Sequence, residues 1–453
     1  MPWPRHSALL TDLYELTMAA AYFENNLRAT ASFELFVRSL PPERTFLVAA
    51  GLDQALDYLE TFQFGSGEID YLRQQPVFSG VKREFFDYLR DLRFTGEVWA
   101  LPEGTPVFGE EPLLRVTAPI IEAQIVETFL LSAITFQTMI ASKAARVVAA
   151  AAGRPVIEFG SRRAHGPEAG PLAARAAFLG GCAGTSNVEA GMRFGIPVFG
   201  TLAHSFVMAY DDELEAFRRF EQLFPEHAVL LVDTYDTLAA VDKIIHSGLR
   251  PKSIRLDSGD LCQLSKEARR RLDAAGLPET KIFASGDLDE FAIAELLACG
   301  AEIDAFGVGT ALSTSKDSPA LSSVYKLVDV AAGATSYRAK FSDDKVTYPG
   351  RKQVFRFQAG GSYSEDVIAC ESEKCDGAQP LLECVLRSGR RIAAPPGLPQ
   401  VQEYARREFA KLPAACRRLH HVQPYPVRFS ARLQALLEEL REHNHAPAGK
   451  SAG

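Results

Sequence analysis

The 453-residue sequence has no apolar run long and uninterrupted enough for a membrane-spanning helix. Its most apolar stretch, Pro119 to Ala152, is broken by Glu122, Gln124, Glu127, Lys143 and Arg146 and reads as a buried helix. An excess of positive charge is also missing. The 49 Lys and Arg against 57 Asp and Glu leave a formal charge of -8, a field that repels nucleic-acid backbones and anionic membranes. Any anionic ligand must then be held by a local basic site. Cysteine is sparse: there are seven, an odd number, with no Cys-x-x-Cys pair, which predicts reduced thiols in a reducing compartment. Cys370, Cys375 and Cys384 cluster, but without the paired spacing or fourth ligand of a structural zinc site. The opening Met-Pro-Trp-Pro-Arg-His lacks the apolar core of a secretory signal. These absences lead to the expectation of a soluble, cytoplasmic protein that binds neither nucleic acid nor membrane.

What is present is an ordinary globular composition, 47% hydrophobic and 23% charged, with length for two or three domains. From Ser7 to about Arg115 the pattern mixes types: a helix near 11–25, an alternating strand near 31–38, and helices near 51–62 and 81–92. Between about Pro155 and Val328 short apolar runs alternate with helical stretches, the signature of a parallel sheet. The runs begin at Val156, Val198, Val229, Ser253, Lys281 and Ile303. Their regular spacing fits a barrel better than an open sheet. The predicted architecture is α/β: an irregular (β/α) barrel over 119–330, an N-terminal α+β domain over 1–118, and a small C-terminal α+β region over 331–445 packing on the N-terminal domain. Residues 446–453 read as a disordered tail.

In parallel barrels the loops after the strands form the reactive face. Here those loops read Glu158-Phe-Gly-Ser-Arg-Arg163, Thr201-Leu-Ala-His-Ser205, Asp233-Thr-Tyr-Asp236, Arg255-Leu-Asp-Ser-Gly-Asp260, Ser285-Gly-Asp287 and Gly307-Val-Gly-Thr310. Backbone N–H groups around Gly307, Gly309 and Thr310 can cradle a phosphate with no side chain in the way. Arg162 and Arg255 offer forks for phosphate or carboxylate. Asp257 and Asp287 can accept from ribose hydroxyls or face a magnesium ion carried by diphosphate. Singly, each has a structural reading as a turn, a solvated arginine or a hydrogen-bonded histidine. Six strand ends converging on sugar-phosphate chemistry are harder to explain by structure alone.

The segments Leu9 to Met18 (LLTDLYELTM), Phe33-Glu-Leu-Phe36, Gly200-Thr-Leu-Ala-His-Ser-Phe206, Ile254 to Asp260 (IRLDSGD) and Val324-Tyr-Lys-Leu-Val328 resemble the nicotinate phosphoribosyltransferases, and the resemblance runs from Leu10 to about Phe355. The resemblance implies that Tyr14, from the partner subunit of a homodimer with shared active sites, and Phe159 sandwich the pyridine ring. It further implies that Arg162 fixes the pyridine end and that Thr201 and Arg255 lie against nicotinate or its ribosyl phosphate. Asp257 and Asp287 would hold the ribose, and Gly307, Gly309 and Thr310 the 5′-phosphate. His204 is the residue that the family phosphorylates from ATP, and Arg38, Lys326 and Lys340 would lie near the diphosphate and ATP phosphates. Mg2+ would accompany ATP and diphosphate. The cysteines depart from family members with a zinc knuckle, so the C-terminal region is expected to be metal-free.

Ser186, in Gly184-Thr-Ser-Asn187, bears on substrate choice. The related nicotinamide enzymes carry an aspartate there, which accepts from an amide but repels a carboxylate. Serine can donate to the acid. The implied reaction joins nicotinate to 5-phosphoribosyl 1-diphosphate, coupled to ATP through a phosphohistidine. The rivals are a nicotinamide or quinolinate phosphoribosyltransferase and, from another class, an inert binding or signalling relative.

Overall fold

The computed structural model describes residues 3, 6–332, 334–341, 346–420 and 423–445; the tail expected at 446–453 lies outside them. The chain forms two compact units, Met139–Pro319 and a second made of Met1–Thr138 with Ala320–Gly453.

The unit Met139–Pro319 is built on six parallel strands: β1 (Val156–Glu158), β2 (Gly184–Thr185), β3 (Val229–Leu231), β4 (Ser253–Leu256), β5 (Lys281–Ala284) and β6 (Ala305–Val308). Their spatial order is β2-β1-β6-β5-β4-β3. Every pair of consecutive strands except β2 and β3 is adjacent, and the last strand pairs with the first, Val308 opposite Glu158. That is the connectivity of the expected (β/α) barrel with one seam. The strands are short and nearly all buried, as strands covered on both faces must be. The helices Thr237–Ser247, Leu261–Ala274 and Glu290–Ala298 join β3 to β6 in turn.

One strand differs from the sequence reading. Val198 to Ala203 forms no strand among the described residues; it contributes an isolated parallel bridge from Val198 to Thr185, with Phe199 N–H donating to the Thr185 carbonyl at 2.9 Å. The two-residue Gly184–Thr185 takes the second place instead. A backbone bounded by Pro197 and Gly200 holds no longer ladder. The expected set of reduced thiols is also corrected: Cys262, at the start of Leu261–Ala274, and Cys299, capping Glu290–Ala298, form a disulfide with Cα atoms 6.6 Å apart.

In the other unit, N- and C-terminal strands share one seven-stranded sheet. Thr30–Val37 pairs antiparallel with Ser323–Ala332, setting Glu34 opposite Lys326 and Leu35 opposite Tyr325. Tyr325 stacks on Phe33, with centroids 4.9 Å apart. Glu34 is fully buried and binds the Lys352 Nζ at 2.7 Å, so the acidic residue inside Phe33–Phe36 neutralises a buried lysine. The Pro119–Ala152 stretch forms two helices, Ile120–Ile125 in this unit and Glu127–Ala150, whose residues from Met139 on belong to the first. A helix at Ser66–Gln74 was not anticipated; only Ile69 and Leu72 are buried on it, too few to give an apolar stripe.

Glu15 lies fully buried in the first turn of Leu13–Glu24. Burial pushes its carboxyl up to about 7 despite hydrogen bonds from the Thr11 and Thr128 hydroxyls. The folded chain therefore holds a proton that the unfolded chain releases near 4.5. The resulting stability is fully present below the unfolded value and is lost as pH rises through about 7. Thermal melts are expected to show a lower Tm at pH 8 than at pH 5.5, with a smaller difference in Glu15→Gln. An equal difference in the variant would exclude Glu15 as a source of the slope.

Candidate active site

The loops after β1, β4, β5 and β6 enclose a cavity of about 280 Å3 lined by Phe159, Arg162, Arg163, Arg255, Asp257, Ser285, Gly286, Asp287, Gly307, Gly309 and Thr310. Its centre is Arg255, the penultimate residue of β4, whose guanidinium is fixed on three sides. It donates from Nε to the Ser285 hydroxyl, from Nη1 to Thr201 and from Nη2 to Asp257, each at 2.7 Å. The guanidinium also sits 5.7 Å from the centroid of the Phe159 ring. A planar fork held this way is pre-organised, so little rotamer entropy remains to be lost when a ligand meets it.

Burial pushes the Asp257 carboxyl up, but the Ser285 hydroxyl, Arg255 and His204 together outweigh it and hold the group below its ordinary value. Asp257 is accordingly an anion at neutral pH. Its Oδ2 lies 3.9 Å from His204 Nε2, while His204 Nδ1 lies 3.1 Å from the Thr234 hydroxyl. The imidazole is held from both ends yet its side chain is 43% exposed, so one face is open to a reagent.

Acidic residues recur in pairs after the strands, and the structure separates their roles. Asp236, Asp260 and Asp289 accept from backbone N–H groups of the helices they precede; these are N-caps, each contributing about 1 kcal/mol. Asp257 and Asp287 line the cavity instead, and Asp233 accepts from the Ser258 hydroxyl at 2.6 Å.

Two glycines permit close approaches. A Cβ on Gly286, whose φ is +96°, would come within 2.1 Å of the Asp257 carbonyl oxygen, so this position binds the loops after β4 and β5 together. A Cβ on Gly307 would press to 2.8 Å on both Phe159 and Phe283. Gly309 then leads into Thr310–Ser313, where the first N–H groups of a helical turn lack partners within it.

Beside the cavity, Glu158 is fully buried, accepting from Thr185 Oγ1 at 2.6 Å and from the Gly160 N–H. Burial raises its carboxyl against those bonds. Ser186 does not line the cavity; its N–H donates to the Glu158 carbonyl at 3.0 Å, which places it beside the chain leading to Phe159.

Of the sequence candidates, Phe159, Arg162, Arg255, Asp257, Asp287, Gly307, Gly309 and Thr310 share one cavity. Thr201 joins through Arg255, and His204 lies against Asp257. Tyr14, Arg38, Lys326 and Lys340 belong to the other unit. There, burial and the Glu127 carboxylate push the Tyr14 phenol up, and burial pushes the Glu127 carboxyl up as well, against the hydrogen bond it accepts from Tyr14 and the charge of Lys326. Arg38 lies with its guanidinium 6.0 Å from the Phe36 ring centroid, and Lys340 is exposed, its carbonyl accepting from Thr347 N–H. The sequence reading singled out neither Thr234 as a partner of His204 nor Glu127 as a partner of Tyr14. Thr234 stood in a strand-end loop and could have been found; Glu127 appeared only as an interruption of an apolar stretch.

Comparison with known proteins gives a consistent result. Residues 9–135 match the model of the nicotinate phosphoribosyltransferase N-terminal domain, residues 140–321 that of the quinolinate phosphoribosyl transferase C-terminal domain, and residues 376–437 that of the nicotinate phosphoribosyltransferase C-terminal domain. The chain is 49% identical over 449 residues to nicotinate phosphoribosyltransferase pncB2 of Mycobacterium tuberculosis (strain ATCC 25618 / H37Rv), covering 97% of this chain and 95% of that protein. It is 40% identical over 458 residues to nicotinate phosphoribosyltransferase of Bacillus subtilis (strain 168), covering 93% of each. The crystal structure of human nicotinic acid phosphoribosyltransferase superposes with a TM-score of 0.84 at 30% identity, covering 95% of this chain and 99% of that one.

Proposed function

The chain belongs to the nicotinate phosphoribosyltransferase family, enzymes of NAD salvage, and from that premise we propose how its residues join nicotinate to 5-phosphoribosyl 1-diphosphate. The observation that carries the reading is the triple fixation of Arg255 above Asp257 and beside Phe159. It supplies a rigid positive fork, an anion and an aromatic face within one cavity.

Nicotinate's pyridine nitrogen attacks the anomeric carbon as diphosphate leaves. The nitrogen lone pair is already free, so no general base is needed, and the chain's contribution is placement and charge. Phe159 stacks on the ring while Arg162 and Arg255 meet its carboxylate or the ribosyl phosphate. Asp257 and Asp287 accept from the ribose hydroxyls, and the Asp257 anion stabilises the cationic sugar as the bond to diphosphate lengthens. Gly307, Gly309 and Thr310 receive the 5′-phosphate. Mg2+ would arrive on the diphosphate and neutralise part of its charge. Asp257 and Asp287, which line the cavity, are the carboxylates that would face the ion.

ATP phosphorylates His204. The lone pair of a neutral ring nitrogen attacks the γ-phosphorus, ADP departs, and water later releases phosphate. Arg38, Lys326 and Lys340 are proposed to approach the diphosphate and ATP phosphates. We further propose a homodimer in which Tyr14 serves the partner's site. Support comes from the large apolar side chains exposed along one segment, Val188, Met192, Val198, Phe199 and Met208, a feature of association surfaces. The environment of use is proposed to be the cytoplasm.

Base selectivity tests the reading. Offered nicotinate and nicotinamide at equal concentration, the protein is expected to make nicotinate mononucleotide. Ser186→Asp should lower kcat/KM for nicotinate about tenfold, as expected for a like charge added on the segment that pairs with the chain leading to Phe159. An unchanged kcat/KM would remove Ser186 as a determinant, and nicotinamide mononucleotide from the unaltered protein would contradict the substrate assignment.

A further inference from the structure

Apart from the nucleotide cavity, the unit Met1–Thr138 with Ala320–Gly453 carries a cleft of about 420 Å3, bordered by Leu56, Val385, Ile392, Val401 and Tyr404. That volume is in the range of small-molecule sites, and the wall is mostly apolar, as in such sites. Its charges are asymmetric. Arg391 is the one cationic side chain among the lining residues and is already spanned by Asp53 at 2.6 Å and Glu60 at 2.9 Å. Glu383, exposed at the end of Glu383–Arg387, adds a carboxylate to the border. The chain itself shows one mode of contact with this wall: the indole of Trp3 donates its N–H to Asp53 Oδ2 at 2.9 Å.

We propose that this cleft is a second small-molecule site, for a compound with a flat apolar body and a protonated amine. The body covers Leu56, Val385 and Val401, and the ammonium meets Glu383. An anionic ligand of equal size would bring like charge against that carboxylate while Arg391 is already neutralised.

Calorimetric titration of the intact protein with tryptamine and with indole-3-propionate separates these cases. Tryptamine is expected to bind at least tenfold more tightly than the carboxylate. Ala394→Trp, which fills the cleft from an exposed lining position, should abolish binding, and Glu383→Gln should weaken it about three- to tenfold. Neither residue lines the nucleotide cavity, so retained mononucleotide synthesis reports that both variants are folded. Equal binding of the two indoles, no saturable tryptamine binding, or binding indifferent to both substitutions would overturn the proposal. Because the readout is binding at this cleft, its outcome is independent of the assignment of His204.

Discussion

Arg255→Ala is expected to lower kcat/KM for mononucleotide synthesis by roughly 10²- to 10³-fold, the loss associated with removing a pre-organised charged donor. Arg255 has a side chain only 14% exposed and holds Thr201, Ser285 and Asp257 simultaneously. Truncation removes the fork and leaves the partly buried Asp257 carboxylate without its nearest cation, an arrangement that costs free energy and lets the loops after β4 and β5 relax. Arg255→Lys should recover only part of the activity, since an ammonium restores charge but not three directed donors. Steady-state kinetics with both substrates varied checks this. A variant within threefold of the unaltered protein would show that the fork is structural only.

The second large effect is expected at His204. Its side chain is 43% exposed, so His204→Ala opens no buried cavity, and Asp257 keeps both Arg255 and Ser285. The fold should survive while ATP hydrolysis falls below about 1% of its original rate, the scale on which loss of an essential nucleophile acts. Slow ATP-independent mononucleotide synthesis should persist, because the ring placement, ribose contacts and phosphate cradle proposed above draw on residues other than His204. Measuring ADP and mononucleotide in the same reaction distinguishes this from general inactivation. Unchanged ATP turnover would refute the histidine assignment.

The placement of these residues was legible because a parallel barrel sends every strand-end loop to one face. Five of six apolar runs became strands, and eight of the residues chosen at their ends share one cavity. Gly184–Thr185 was missed because two buried residues show no pattern, whereas Val198 to Ala203 looked like a strand yet makes one bridge. Nor could spacing distinguish Asp257 from Asp260, since a cavity-lining carboxylate and a helix cap are both polar groups beyond a strand. Only the backbone geometry assigns the second to the amide of Gln263. The Cys262–Cys299 disulfide joins residues 37 apart, a separation with no local signature. Glu127 was obscured by the opposite problem: a single carboxylate in an apolar helix is read first by its disruption of the pattern and only afterwards by what it holds.

Incubating the protein with 5-phosphoribosyl 1-diphosphate, Mg2+ and ATP, with nicotinate, nicotinamide or quinolinate offered in parallel, tests the central claim most directly. Chromatographic identification should find nicotinate mononucleotide as the main product, in a yield that rises with ATP and is accompanied by ADP. A product made from quinolinate instead, or none from any of the three bases, would contradict it.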